Sequence, residues 1–217
     1  MGDLVSPLAL TDKIYYRGVS ELSSRDSDLA AVVSRWGDPP FWCHAPGFSG
    51  IVIAILSQQV SLESAHTAFA KLETVVGAIH PEKFLYLDDS TLRGIGFSRQ
   101  KISYVRGIAH KIMTGAFDLK GLESMPDDQA RKRLMEVRGI GAWTADTYLL
   151  FALRRSDAWP SGDLALAKAI QELRELPTVP SSETVDQIAE TWRPWRAVAA
   201  RILWHHYLNE RGRASSA

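Results

Sequence analysis

Cysteine is almost absent. Cys43 is the single thiol of the 217 residues, so no internal disulfide can form, and an iron–sulfur cluster held by four thiolates is excluded. An excess of either charge is lacking too. Twenty-five Lys+Arg balance 25 Asp+Glu to a formal net charge of zero, which argues against a strong nonspecific binder of polyanions. No apolar run reaches the roughly 20 residues that span a bilayer. The N-terminus does not show the basic segment followed by an apolar one that marks a signal peptide. Met1, Gly2 and Ser6 fit a myristoylation pattern, a permissive one for which chance is the better reading. No Walker loop, dinucleotide fingerprint or His/Cys/carboxylate cluster of metal-ligand spacing is present.

What is there is an ordinary globular composition, 46% apolar and 23% charged, long enough for one large or two small domains. The charge is unevenly spread. Residues 1–130 hold 12 Lys+Arg against 15 Asp+Glu, and residues 131–217 hold 13 against 10. The basic bias of the second half is small, so backbone amides are expected to carry much of any contact with an anion.

Residues 1–26 show no clear period. Asp28 to Trp36 predicts a short helix, broken at Gly37-Asp38-Pro39-Pro40. Phe41-Trp42-Cys43-His44 is a dense aromatic patch, read as core packing before a pocket wall. Ile51 to Leu56 is apolar on every face, which predicts a fully buried helix. Ser61 predicts a cap for a helix to about Val76, and Ser98 caps another with Ile102, Val105, Ile108 and Ile112 on one face. The tetrapeptide R-G-I-G occurs at 93–96 and again at 138–141, suggesting two hairpin-like turns. Pro126 to Val137 predicts a helix with Arg131, Lys132 and Arg133 exposed, and 183–192 predicts another. Trp195 to Asn209 predicts the last, with Trp195, Val198, Ala199, Ile202 and His206 on one face and Trp204 on the other.

The richest stretch is 134–168. Gly139 and Gly141 flank Ile140 in a tight turn, with Ile140 as its apolar plug. Ala142 to Leu153 then reads as a helix. Its N-terminus, with free N–H groups and the positive end of the dipole, is a ready phosphate site. After Pro160-Ser161-Gly162, Asp163 sits at the N-cap of a helix to about Leu173.

V-R-G-I-G-A-W-T-A followed by P-S-G-D resembles the helix-hairpin-helix DNA glycosylase superfamily, and within it the 3-methyladenine (alkylpurine) DNA glycosylase II branch. The likeness extends to S-Q-Q-V-S at 57–61, G-F-S-R-Q-K at 96–101 and W-R-P-W-R at 192–196, and covers roughly residues 45–210. It implies an all-α fold of about ten helices in two lobes with the active-site cleft between them. Residues 1–44 would be a partly packed N-terminal segment, 45–210 the glycosylase core and 211–217 a tail. The implied partner is double-stranded DNA containing alkylated bases, met by a monomer in the cytoplasm, on the nucleoid if the source is bacterial.

The implied activity is hydrolysis of the N-glycosidic bond of a flipped-out 3-methyladenine or 7-methylguanine, leaving an abasic site. Asp163 matches the catalytic position and would oppose the oxocarbenium-like sugar; Asp146 and Asp157 are its rivals. Trp143 and Trp204 would border the base. Arg138, Gly139, Ile140, Gly141, Thr144, Ser98 and Lys101 would meet the DNA backbone, and the position of Gln59 supplies the wedge that fills the gap left by the base. A buried amide capping a helix is the competing reading of Gln59. Trp143 stands where bifunctional relatives carry the Schiff-base lysine, which implies a monofunctional enzyme. Arg138 replaces a common proline, and Thr147 replaces an aromatic of some relatives. No cofactor is required; the resemblance brings a monovalent cation on the carbonyls of Met135, Val137 and Gly139. A glycosylase for a neutral damaged base and a non-catalytic helix-hairpin-helix module stay open as alternatives.

Overall fold

A computed structural model of the chain describes residues 9–213; the pattern at Met1, Gly2 and Ser6 and the tail positions 214–217 lie outside the described residues. Twelve α-helices follow in order: α1 Asp12–Arg25, α2 Ser27–Trp36, α3 Phe48–Leu56, α4 Leu62–Val76, α5 Pro81–Tyr86, α6 Asp89–Ile95, α7 Arg99–Met113, α8 Asp127–Met135, α9 Ala142–Phe151, α10 Leu164–Leu173, α11 Ser182–Glu190 and α12 Arg196–Asn209, with a 3-10 turn at Lys120–Ser124 before α8. Among the described residues, extended pairing is limited to an isolated bridge between Ala9 and Arg155. The all-α expectation holds, with twelve helices against about ten.

The chain divides into two compact units. Of the described residues, one unit is 44–148 and the other joins 9–43 to 149–213. The first is built on α3. Phe48 and all residues from Gly50 to Leu56 are buried. Three isoleucines and a valine cost helix propensity, up to about 0.7 kcal/mol each. Burying each side chain returns roughly 1.5–3 kcal/mol, so packing decides the conformation. α4 and α7 pack on α3, α5 packs on α7, and α6 packs on α4 and α7. Ser61 caps α4 and Ser98 caps α7, each hydroxyl accepting a first-turn N–H at 3.2 Å.

The R-G-I-G echo does not repeat as structure. At 93–96 the first three residues close α6 and Gly96 follows as its cap; at 138–141 all four lie between helices. Of the basic residues of α8, Lys132 is exposed as expected, while Arg131 and Arg133 are half-buried and paired. Arg131 pairs with Asp146 at 2.7 Å, and Arg133 pairs with Glu136 and lies 5.3 Å from the centroid of Phe117.

The second unit is built on α12, which α1, α2, α10 and α11 surround. The expected face is buried, but so are Ala197, Ala200, Leu203 and Leu208; the helix is central rather than two-faced, and Trp204 is left half-buried. Residues 1–26, read as aperiodic, contain α1, with Tyr15, Val19 and Leu22 buried as one stripe. Gly18 lets α1 lie against α12: a Cβ there would stand 3.1 Å from Trp195 and Val198.

Arg201 is fully buried at the centre of this unit. It donates to the carbonyls of Ala197, Leu150 and Trp42 at 2.9 Å each and lies over the rings of Phe41 and Phe151. Burial pushes its pKa down to about 10, still protonated near neutrality. Phe41 also stacks on Tyr15 at 4.6 Å. The expected core role of the aromatic patch therefore holds for Phe41.

Candidate DNA-contact hairpin and catalytic carboxylate

The turn between α8 and α9 forms as its glycines suggest, but the two glycines differ. Gly139 has φ +92°, and a Cβ there would overlap the ring of Tyr104. Only glycine meets both conditions. Gly141 has no such constraint: a Cβ would meet nothing within 4 Å, and the residue is exposed. Ile140 is 4% exposed, the plug expected, and its N–H donates to the carbonyl of Val137 at 3.0 Å. The carbonyl of Gly141 accepts from Ala145 at 3.0 Å, opening α9. Helix geometry aims the first-turn N–H groups away from the helix body, toward the side on which Gly141 leaves room. Arg138 is exposed beside it, and Trp143 is half-buried on the first turn.

Thr144 departs from its expected role. It is 3% exposed, and its hydroxyl accepts from Gln58 at 2.8 Å. Its side chain serves the hairpin's interior, so any phosphate contact there falls to its N–H. Thr147, also buried, donates to the carbonyl of Thr144 at 3.0 Å.

Gln58, to which sequence reasoning assigned no role, is tied to the hairpin. Its Nε2 donates to the carbonyl of Gly139 and to Thr144 Oγ1, both at 2.8 Å. The buried-amide reading of Gln59 is thus overturned: the internally bonded amide is the half-buried Gln58, and it clips the hairpin rather than capping a helix. Gln59 itself is exposed, at φ +56°, with exposed Val60 and Leu62 beside it. The signal in the sequence was the Gln-Gln pair, since adjacent side chains on a turn leave in different directions. Lys101 also finds an internal partner, donating to the carbonyl of Leu56 at 2.7 Å. Burial lowers its pKa, so its charge is partly withdrawn from solvent.

The carbonyls of Met135, Val137 and Gly139 suit a hard monovalent cation in donor type. Met135 ends α8, at the negative pole of the helix. The carbonyls of Val137 and Gly139 each accept one hydrogen bond, from Ile140 N–H and from Gln58, and a carbonyl oxygen has a second lone pair. No grouping of three or more His, Cys, Asp or Glu fit for a metal occurs among the described residues.

In the second unit, Gly162 at φ +79° turns the chain into α10, and Asp163 caps that helix. Its Oδ1 accepts from Leu166 N–H at 3.0 Å and from Trp204 Nε1 at 3.3 Å. Trp204 stacks on Phe151, with centroids 5.3 Å apart and planes 17° from parallel. A half-buried carboxylate held by two neutral N–H donors beside a pair of stacked rings can oppose a cation. The rival acids are committed elsewhere. Asp146 is 4% exposed and paired with Arg131. Asp157 is bridged by Arg193 and Arg196, the arginines of W-R-P-W-R rather than the neighbouring Arg154 and Arg155.

The chain is 29% identical over 161 residues to DNA-3-methyladenine glycosylase 1 of Schizosaccharomyces pombe, covering 72% of this chain and 71% of that one. It is 28% identical over 201 residues to an alkylbase DNA glycosidase-like protein of the same yeast, covering 89% and 94%. Among solved structures, the 3-methyladenine DNA glycosylase of that yeast in complex with abasic DNA superposes with a TM-score of 0.80 at 24% identity, over 90% of this chain and 97% of that one. A DNA-3-methyladenine glycosidase of Bacillus halodurans does so with a TM-score of 0.73 at 25% identity, over 93% of each. Residues 52–194 match the family described as HhH-GPD superfamily base excision DNA repair protein. The chain belongs to the HhH-GPD superfamily of base excision DNA repair proteins.

Proposed function

We propose that this protein is a monofunctional DNA glycosylase that removes alkylated purines from double-stranded DNA, acting as a monomer in the cytoplasm, on the nucleoid if the source is bacterial. The observation that carries the reading is the Asp163 carboxylate, held by the first turn of α10 and by Trp204 beside the Trp204–Phe151 stack. Alkylation at N3 of adenine or N7 of guanine makes the base cationic and weakens its bond to the sugar. The nucleotide leaves the stack, since the bond is unreachable inside it. The electrons of the N-glycosidic bond depart with the base, which leaves neutral. Asp163 opposes the resulting charge on the sugar, water adds to C1′, and the proton of that water passes to solvent. Trp143 and Trp204 each offer an electron-rich ring face to the cationic base, worth roughly 0.5–2 kcal/mol per ring.

The hairpin backbone from Gly139 to Thr144, with Arg138, grips a phosphate. Gln59 is the wedge, Ser98 organises the first turn of α7, and Lys101 holds the wedge loop from beneath. A monovalent cation on the carbonyls of Met135, Val137 and Gly139 would add positive charge at the hairpin. Trp143 has no amine with which to form a Schiff base, so the product is an intact abasic strand.

The test is single-turnover release of 3-methyladenine and 7-methylguanine from alkylated duplex DNA, with borohydride present. Wild type should release both and trap no adduct. Asp163→Asn keeps size and capping but loses the charge, and should slow release by about 10²-fold or more. Asp157→Asn should stay near wild type. Near-normal release by Asp163→Asn, or a trapped adduct, overturns the reading.

A further inference from the structure

One side chain joins two segments to which the proposed function gives separate tasks. The Nε2 of Gln58 donates to the Gly139 carbonyl in the hairpin and to Thr144 Oγ1 on the first turn of α9. Both acceptors are fixed points. Gly139 is locked by its φ and by Tyr104, and Thr144 is buried. Gln58 itself belongs to the loop between α3 and α4, and the chain is anchored again where it leaves α3. Lys101 Nζ donates to the Leu56 carbonyl at 2.7 Å, and Ser57 Oγ donates to the Ile53 carbonyl at 2.9 Å. Next to these anchors Gln59 holds a left-handed backbone, φ +56°, while exposed. A non-glycine residue in an unanchored surface loop would leave that conformation. The exposed glutamine is therefore held in place by its neighbours and not by contacts of its own side chain.

We propose that Gln58 is a positioning residue whose two hydrogen bonds set the reach of the Gln59 loop against the hairpin, so that phosphate capture and base displacement share one register. What the two segments touch rests on the glycosylase reading. The coupling between them is a property of the free protein. A glutamine that merely filled space would give neither of the two signatures below.

The first signature is amide hydrogen exchange without DNA. Thr144→Val keeps shape but loses the acceptor, and should speed exchange at residues 57–61; Thr144→Ser, which keeps the acceptor, should not. Gln58→Met should reciprocally speed exchange at 139–144. Unchanged exchange in the distant segment overturns the proposal. The second is non-additivity in single-turnover release from alkylated duplex DNA. Gln59→Ala should slow release about tenfold in wild type and little in the Gln58→Met background, itself about tenfold slow from two lost hydrogen bonds. Losses that simply multiply also overturn it. A wild type that releases no base removes the glycosylase reading, while the exchange measurements still decide the coupling.

Discussion

At the scale of single residues, the hairpin shows how two identical letters carry different constraints. Gly139 and Gly141 look alike in G-I-G, and both suggest a turn. Only Gly139 has a positive φ and no room for a Cβ. Gly139→Ala must adopt a strained backbone and displace Tyr104, so it should destabilise the protein by about 2–4 kcal/mol. Gly141→Ala should change stability by less than about 0.5 kcal/mol, because its Cβ enters open space. On the proposed phosphate contact, the same Cβ would stand in the way of the DNA backbone, so affinity for abasic duplex should fall while the urea midpoint holds. Equal midpoint shifts for the two alanines would show that the hairpin is not built as described. The same scale explains the glutamine error. Both readings, wedge and buried amide, fell on Gln59, because which way each glutamine points depends on the left-handed turn at Gln59, which no local pattern encodes.

At the scale of elements, most helices were legible because their periodicity and caps coincide. Ser61, Ser98 and Asp163 each cap the helix expected of them. α1 was not read, because Gly18 and a polar-rich surface masked the stripe of Tyr15, Val19 and Leu22; that glycine answers to the distant Trp195, a contact invisible to a local window. α12 was read as two-faced because its second partner surface comes from α1 and α2, far away in sequence. Its C-terminal end carries a pH dependence. His206 lies 3.3 Å from Glu172 without the alignment of a hydrogen bond, and burial pushes its pKa down. Arg211, by hydrogen bond, holds the Glu172 carboxyl below its ordinary value.

Both shifts act in one direction. With the folded pKa of His206 below the unfolded value near 6.5, the unfolded chain binds more protons as the medium turns acid. Stability is full above that value and erodes as pH falls through it toward the folded pKa. Glu172 adds a second loss at lower pH, beginning at the ordinary carboxylate value and continuing below it. The urea midpoint should drop between about pH 7.5 and about pH 5, and His206→Gln should flatten that drop. An equal drop in the variant would assign the dependence to other groups.

At the scale of the whole molecule, the question is how a chain of zero net charge holds DNA. The sequence showed only a small basic bias after residue 130, and the structure reduces it further. Arg131 is spent on Asp146, Arg133 on Glu136, and Arg193 and Arg196 on Asp157 and Glu190; Lys101 sits on a carbonyl. Most of these pairings join residues through the fold and could not be read from composition; Arg133–Glu136 and Arg193–Glu190 are local, three residues apart on the chain. What is left for a phosphate at α8 and the hairpin is the hairpin backbone, the exposed Lys132 and Arg138, and any cation on the hairpin carbonyls. Neutral N–H donors release few counterions, so affinity should depend only weakly on salt. A plot of log affinity for abasic duplex against log potassium chloride should have a slope of about −2 to −3, well below the roughly −6 to −9 of proteins that neutralise many phosphates with side chains. Repeating the titration in tetramethylammonium chloride, whose cation is too bulky for three carbonyls, isolates the hairpin ion: affinity at matched ionic strength should be lower there. Equal affinity in the two salts would remove the cation from the hairpin. A slope steeper than about −5 would mean that the arginines leave their internal partners to reach the DNA, and would move the grip from the backbone to the side chains.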